Sequence, residues 1–185
     1  QLNLAADSHL IAVVGRLTEQ KGHRYLIEAA PAILEAYPKT HFLFIGQGEL
    51  RNELQSQIQQ MNLSSHFHFL GVRSDVPNLL AAIDLFVQPS LWEGLSVALL
   101  EAMAAAKPIV ATAVSGTTQA MVDGQTGLVV PFADSPALAN AIIRLLADPT
   151  QAQAMGRAAK QYVALNFSAQ KQAEDHLALY RRLSS

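Results

Sequence analysis

The chain has no cysteine among its 185 residues. Structural disulfides, thiolate metal sites and cysteine nucleophiles are therefore excluded. Charge is scarce as well. Asp, Glu, Lys and Arg make up 15% of the sequence, against about 25% in an ordinary domain. The 13 Lys and Arg nearly balance the 15 Asp and Glu, which leaves a net charge of −2. A chain so balanced lacks the basic surface that nucleic acid or an anionic membrane attracts, so no nucleic-acid partner is expected. No apolar run approaches the ~20 residues of a membrane-spanning helix. No basic-then-apolar signal segment opens the chain. The default expectation is a soluble cytoplasmic protein. Its length fits one domain of the usual ~100–200 residues.

What the sequence has in excess is apolar surface. Hydrophobic residues reach 50%, many of them alanine. A closely packed, alanine-rich helical layer would account for this. So would a surface normally covered by another domain, and composition leaves both open.

Six short apolar runs punctuate the chain: 9–14, 41–45, 66–70, 84–87, 108–111 and 127–130. Gly15, Gly46 and Gly71 end the first three, Pro89 follows the fourth and Pro131 ends the sixth. Runs apolar throughout suggest strands buried on both faces, as in a parallel sheet. Between them lie helical patterns over 22–37, 49–61, 76–82, 95–106, 136–147, 149–165 and 169–183. The 95–106 stretch is almost wholly apolar and is expected to be buried. Ser135 is the expected N-cap of the helix that opens with Pro136. The alternation predicts an α/β fold: a doubly wound, Rossmann-like parallel sheet of about six strands with helices on both faces. In such folds ligands bind beyond the carboxyl ends of the strands, where the strand order reverses.

The chemistry-bearing residues stand at those ends. Gly15-Arg16-Leu17-Thr18-Glu19-Gln20-Lys21-Gly22 leaves the first strand. Gly15 permits a close ligand approach. Arg16 and Lys21 supply two cations suited to phosphate, beside a helix N-terminus. A solvated basic loop would read the same way. Neither G-x-G-x-x-G nor G-x-x-x-x-G-K-[ST] is present, so dinucleotide and P-loop readings have poor support. After the fourth strand comes Ser90 to Met103, with Glu93 in a loop and Glu101 within the apolar stretch. Eight helical steps span about 12 Å. Two carboxylates so placed could accept from two separate sets of hydroxyls. Helix capping for Glu93 and a buried ion pair for Glu101 are the plainer alternatives.

Taken jointly, Gly15-Arg16…Lys21-Gly22 and Glu93-x7-Glu101 resemble the nucleotide-sugar half of retaining GT-B glycosyltransferases, the large group called family four. Glu93-Gly94-Leu95…Leu100-Glu101-Ala102-Met103-Ala104, Pro108-Ile109-Val110-Ala111-Thr112, Asp75-Val76-Pro77 and Asp123-Gly124-Gln125-Thr126-Gly127 resemble its signature in order. The likeness runs from about Leu10 to Leu183. It implies that Arg16 and Lys21 bind the donor diphosphate and that Glu101 holds the ribose hydroxyls. It implies that Glu93 contacts the transferred sugar and that the backbone of Gly94, Leu95 and Ser96 faces sugar and phosphate. Val72 and Arg73 would lie against the base. No metal and no cofactor is implied, because protein cations and helix ends would replace a metal. The donor itself would be a nucleoside diphosphate sugar.

Some positions depart from the family pattern. Ser115-Gly116-Thr117-Thr118-Gln119 replaces the usual two glycines, proline and glutamate, so no catalytic role passes to Gln119. Ala106 stands where glycine is common, which reads as packing. A whole GT-B enzyme has a second, amino-terminal acceptor domain. Residues 1–185 are expected to be the carboxy-terminal domain alone, inactive or nearly so by itself, with any membrane association made through the missing domain. A non-catalytic nucleotide-binding or interaction module and a GT-B nucleotide-sugar epimerase are the rival readings. His41, His66 and His68 sit in or at strands. Two such histidines could bind a metal, but no third ligand stands nearby in sequence. Trp92 reads as a packing or loop residue rather than a stacking platform.

Overall fold

The computed structural model describes residues 4–183, apart from the side chains at 174, 175 and 178. Six parallel strands form one sheet: β1 His9–Val14, β2 Thr40–Ile45, β3 Phe67–Gly71, β4 Leu85–Gln88, β5 Ile109–Thr112 and β6 Leu128–Val130. Their order is β3-β2-β1-β4-β5-β6, the arrangement of a doubly wound Rossmann-like sheet. Register is continuous from His9↔Thr40 to Val14↔Ile45 between β1 and β2. The predicted strands are all present, with ends moved by a residue or two.

Period-two alternation splits the side chains of each strand between two cores. Ile11, Val13, Phe42, Phe44 and Val110 face helices α1 (His23–Ala36), α2 (Arg51–Gln60) and α6 (Ser135–Ala147). Ala12, Leu43, Ile45, Phe86 and Ala111 face α3 (Val76–Ala82) and α4 (Val97–Ala104). Helix α7 (Pro149–Asn166) joins both layers, with Ala152 and Met155 in the first core and Ala159 and Val163 in the second. Helix α8 (Ala169–Leu183) closes the described chain.

Four sequence expectations need correction. A short helix, α5 (Ser115–Ala120), and a 3-10 turn over Glu19–Lys21 were not legible. Asp134, not Ser135, caps α6: its carboxylate accepts from the Ala137 amide at 2.8 Å. Ser135 instead donates to Glu28 at 2.7 Å and ties α6 to α1. Helix α4 is buried on one side only, through Leu99, Ala102 and Met103. Val97, Glu101 and Ala104 form its exposed face. Ala106 has φ 55°, the left-handed region, so a glycine there would answer a backbone need rather than packing.

Candidate functional site

The strand order reverses between β1 and β4, and beside this switch point the loops after β1, β2 and β3 enclose a cleft. The loop after β1 continues the ladder briefly, with Gly15 N donating to Ile45 O at 2.9 Å and Leu17 N to Gln47 O at 3.0 Å. Leu17 is fully buried and anchors the loop. The result is an open cleft of about 770 Å³ lined by Gly15, Arg16, Gly46, Glu49, Val72 and Arg73, among others. Arg16 has no ion-pair partner among the described residues. Arg73 is held by Asp75 through two hydrogen bonds of 2.8 Å. That contact lowers the Asp75 carboxyl below its usual range and raises the Arg73 guanidinium above its own.

Lys21 meets Glu93 where the β1 and β4 loops join. Its ammonium donates to Glu93 Oε2 as a salt bridge, and the two side chains are 18% and 11% exposed. Gln20 Nε2 donates to Glu93 Oε1 at 3.4 Å and Ser90 Oγ to Oε2 at 3.4 Å. Backbone contacts hold both sides. Leu91 N donates to Gln20 O at 2.8 Å, and Gly116 N to Glu93 O at 3.0 Å. A Cβ on Gly116 would stand 1.6 Å from Gly94 O, and one on Gly22 1.9 Å from Pro89 O. Only glycine lets these backbones approach so closely. Next to Lys21, His23 is buried with both ring nitrogens unpartnered. Burial, and then the Lys21 charge, push it down to about 4.

The remaining predicted residues divide. Gly94 and Leu95 are exposed, whereas Ser96 is buried and caps α4 by accepting from Leu99 N at 3.4 Å. Glu101 is exposed rather than buried, and it forms no ion pair among the described residues. It lines a separate cleft of about 570 Å³ between α3 and α4, with Pro77, Ala81 and Lys107. Lys107 spends its donors on the carbonyls of Ala81 (2.8 Å) and Ile83 (2.9 Å). Trp92 lies in the loop at 53% exposure and packs into neither core. Gln20, Ser90, Gly116 and Glu49 belong to the site but were not singled out from sequence. Only their nearness to Lys21, Glu93 and the strand ends could have drawn notice. His41, His66 and His68 gather on the β2–β3 edge, with His68 Nε2 3.1 Å from His41 Nδ1. Among the described residues, however, no three such side chains could hold a metal ion. No described helix is long and apolar enough to cross a membrane.

This is a Rossmann-like α/β domain with an open cleft at the carboxyl end of its sheet. The family model for glycosyl transferases group 1 matches residues 1–162, and the chain belongs to that family. It is 37% identical over 150 residues to an Escherichia coli UDP-Gal:alpha-D-GlcNAc-diphosphoundecaprenol alpha-1,3-galactosyltransferase, covering 80% of this chain and 39% of the relative. The crystal structure of Anabaena HepE in complex with UDP and glucose superposes with a TM-score of 0.86 at 27% identity, over 94% of this chain and 49% of HepE. Sucrose-phosphate synthase from Thermosynechococcus elongatus superposes with a TM-score of 0.89 at 32% identity, over 98% of this chain and 47% of that one. The chain thus spans about half, or less, of the length of these relatives.

Proposed function

We propose that the chain is the donor-binding, carboxy-terminal domain of a retaining glycosyltransferase that needs no metal ion. It would work with an amino-terminal acceptor domain and move a sugar from a nucleoside diphosphate sugar to an acceptor. The observation that carries this reading is the cleft over the loops after β1, β2 and β3, with Arg16 on its wall, beside the Lys21–Glu93 bridge that joins the β1 and β4 loops. The UDP and glucose held by HepE lend support, since that fold superposes on nearly the whole chain.

In this reading Arg16 and Lys21 bind the diphosphate. They stabilise the negative charge that grows on it as the sugar leaves, which preorganised cations do without reorganisation. Glu93 accepts from the sugar hydroxyls, and the Gly94–Ser96 backbone at the start of α4 faces sugar and phosphate. Glu101, on the exposed face of α4, holds the ribose. Val72 and Arg73 at the far end of the cleft lie against the base.

Calorimetric titration of the chain with UDP-, GDP- and ADP-sugars tests the reading. One of these sugars is expected to bind. Arg16→Ala and Lys21→Ala should each weaken it by about 1.5–3 kcal/mol, the usual loss for a hydrogen bond to a charged group. Unchanged affinity in both variants would remove these residues from the site.

A further inference from the structure

Arg16 and Lys21 do not offer the cleft two equal cations. Arg16 is unpaired among the described residues, but the Lys21 charge is already met by Glu93. The pair is mostly shielded from solvent, so salt and water screen it little. The backbones that carry the two partners are held in place. The 3-10 turn bearing Lys21 and the loop bearing Glu93 are joined backbone to backbone through Leu91 and Gln20, and Gly116 pins the loop from behind. A phosphate that reaches Lys21 must therefore settle beside a fixed carboxylate.

We propose that Glu93 acts as an internal stand-in for phosphate on Lys21, and so makes the site favour a nucleoside diphosphate that carries a sugar over one that does not. The inference rests on the donor-site reading above. When phosphate draws Lys21 away, Glu93 keeps the weaker donors Gln20 Nε2 and Ser90 Oγ, both at 3.4 Å. It has lost its only ionic partner among the described residues. Sugar hydroxyls can replace that partner by donating to the carboxylate. A bare diphosphate brings no donor, only more negative charge, and like charges brought together cost affinity. Substrate is thereby welcomed, and the sugar-free product is pushed out by the same carboxylate.

The test uses UDP and UDP-glucose as probes, with GDP, ADP and their glucose conjugates run alongside, on the wild-type chain, Glu93→Gln, Lys21→Met and the double variant. Glutamine keeps the shape and the neutral contacts while removing the charge. Glu93→Gln should bind the free diphosphate about tenfold more tightly, as expected when one like-charge contact is removed. It should bind the sugar conjugate no more tightly than wild type. In the Lys21→Met background the gain on the free diphosphate should shrink to what relief of repulsion alone gives, which reports the coupling between the two residues. Glu93→Ala serves if Glu93→Gln fails to fold, because it removes the same charge. Free diphosphate bound equally or more weakly by the neutral variant overturns the proposal while leaving the donor site intact. So does a gain of undiminished size without Lys21. If wild type binds none of the six probes, the donor-site reading falls and this proposal with it.

Discussion

His23 shows what a single side chain contributes in two directions. It opens α1 directly behind Lys21, edge-on to Phe44 with ring centroids 4.8 Å apart. Burial disfavours its charged form, so its pKa falls from 6.5 to about 4. The unfolded chain then binds more protons than the folded one between those values. Stability is fully present above pH 6.5 and is lost as pH falls towards 4. At 1.36 kcal/mol per pH unit the loss amounts to about 3 kcal/mol. Urea unfolding at pH 7.5, 5.5 and 4.5 should show a smaller acid loss in His23→Phe than in wild type. A constant difference between the two proteins across that window would clear His23 of the effect. None of this was legible in sequence, where His23 looks like any first-turn residue. Lys21 and Glu93 were legible as types at strand ends. Their contact was not, because it spans 72 positions and depends on β4 lying beside β1.

At the scale of elements, the strands were the readable part. Segments such as Ile11-Ala12-Val13 and Phe42-Leu43-Phe44-Ile45 are buried on both faces and carry no competing pattern. Helix α5 escaped notice because Ser-Gly-Thr-Thr-Gln-Ala is six residues long and opens with four weak helix formers. Apolar composition misled for α4, whose Val97 is 68% exposed while Leu99 is fully buried. Composition says what could be buried, and packing decides which face is. Helix α5 nonetheless sets the site, since Gly116 abuts Gly94 O and its amide holds Glu93 O. Gly116→Ala must displace either α5 or the loop, at about 1–3 kcal/mol of overpacking. Thermal unfolding should record that loss. Calorimetry should show that affinity for the sugar conjugate falls alongside it, whereas Ser115→Ala, on the exposed side of α5, should change neither. Full affinity in Gly116→Ala would separate α5 from the site.

For the whole molecule, the carboxyl edge of the sheet leaves Val72, Trp92, Leu95, Val97 and Phe132 in solvent. Val72 lines the cleft, and the other four lie in the segments that follow β4 and β6. Together with the low charge of the sequence, they favour a surface that another domain covers over one that an alanine-rich interior alone explains. The relatives, about twice as long, leave room for such a domain. The chain by itself is then expected to bind donor yet transfer no sugar. Proximity of donor and acceptor supplies on the order of 7–11 kcal/mol of a barrier, and in the proposed reading residues 1–185 provide the donor side. Chromatography of labelled product, with and without the amino-terminal domain supplied as a separate chain, measures this. Robust transfer by residues 1–185 alone would contradict the half-enzyme reading.

The backbone stitches around Glu93 carry one more consequence, in the time domain. The amides of Leu91 and Gly116 lie outside any strand: Leu91 joins the β4 loop to Gln20 O of the β1 loop, and Gly116, at the start of α5, holds that same β4 loop at Glu93 O. Such protons exchange with deuterium only when their bonds open. The two loops therefore form a single opening unit. Leu91 and Gly116 should exchange slowly and at a common rate, while exposed loop amides such as that of Ser74 exchange at once. The binding crevice of this domain is thus among its slower-breathing parts, although it is built almost entirely from loops.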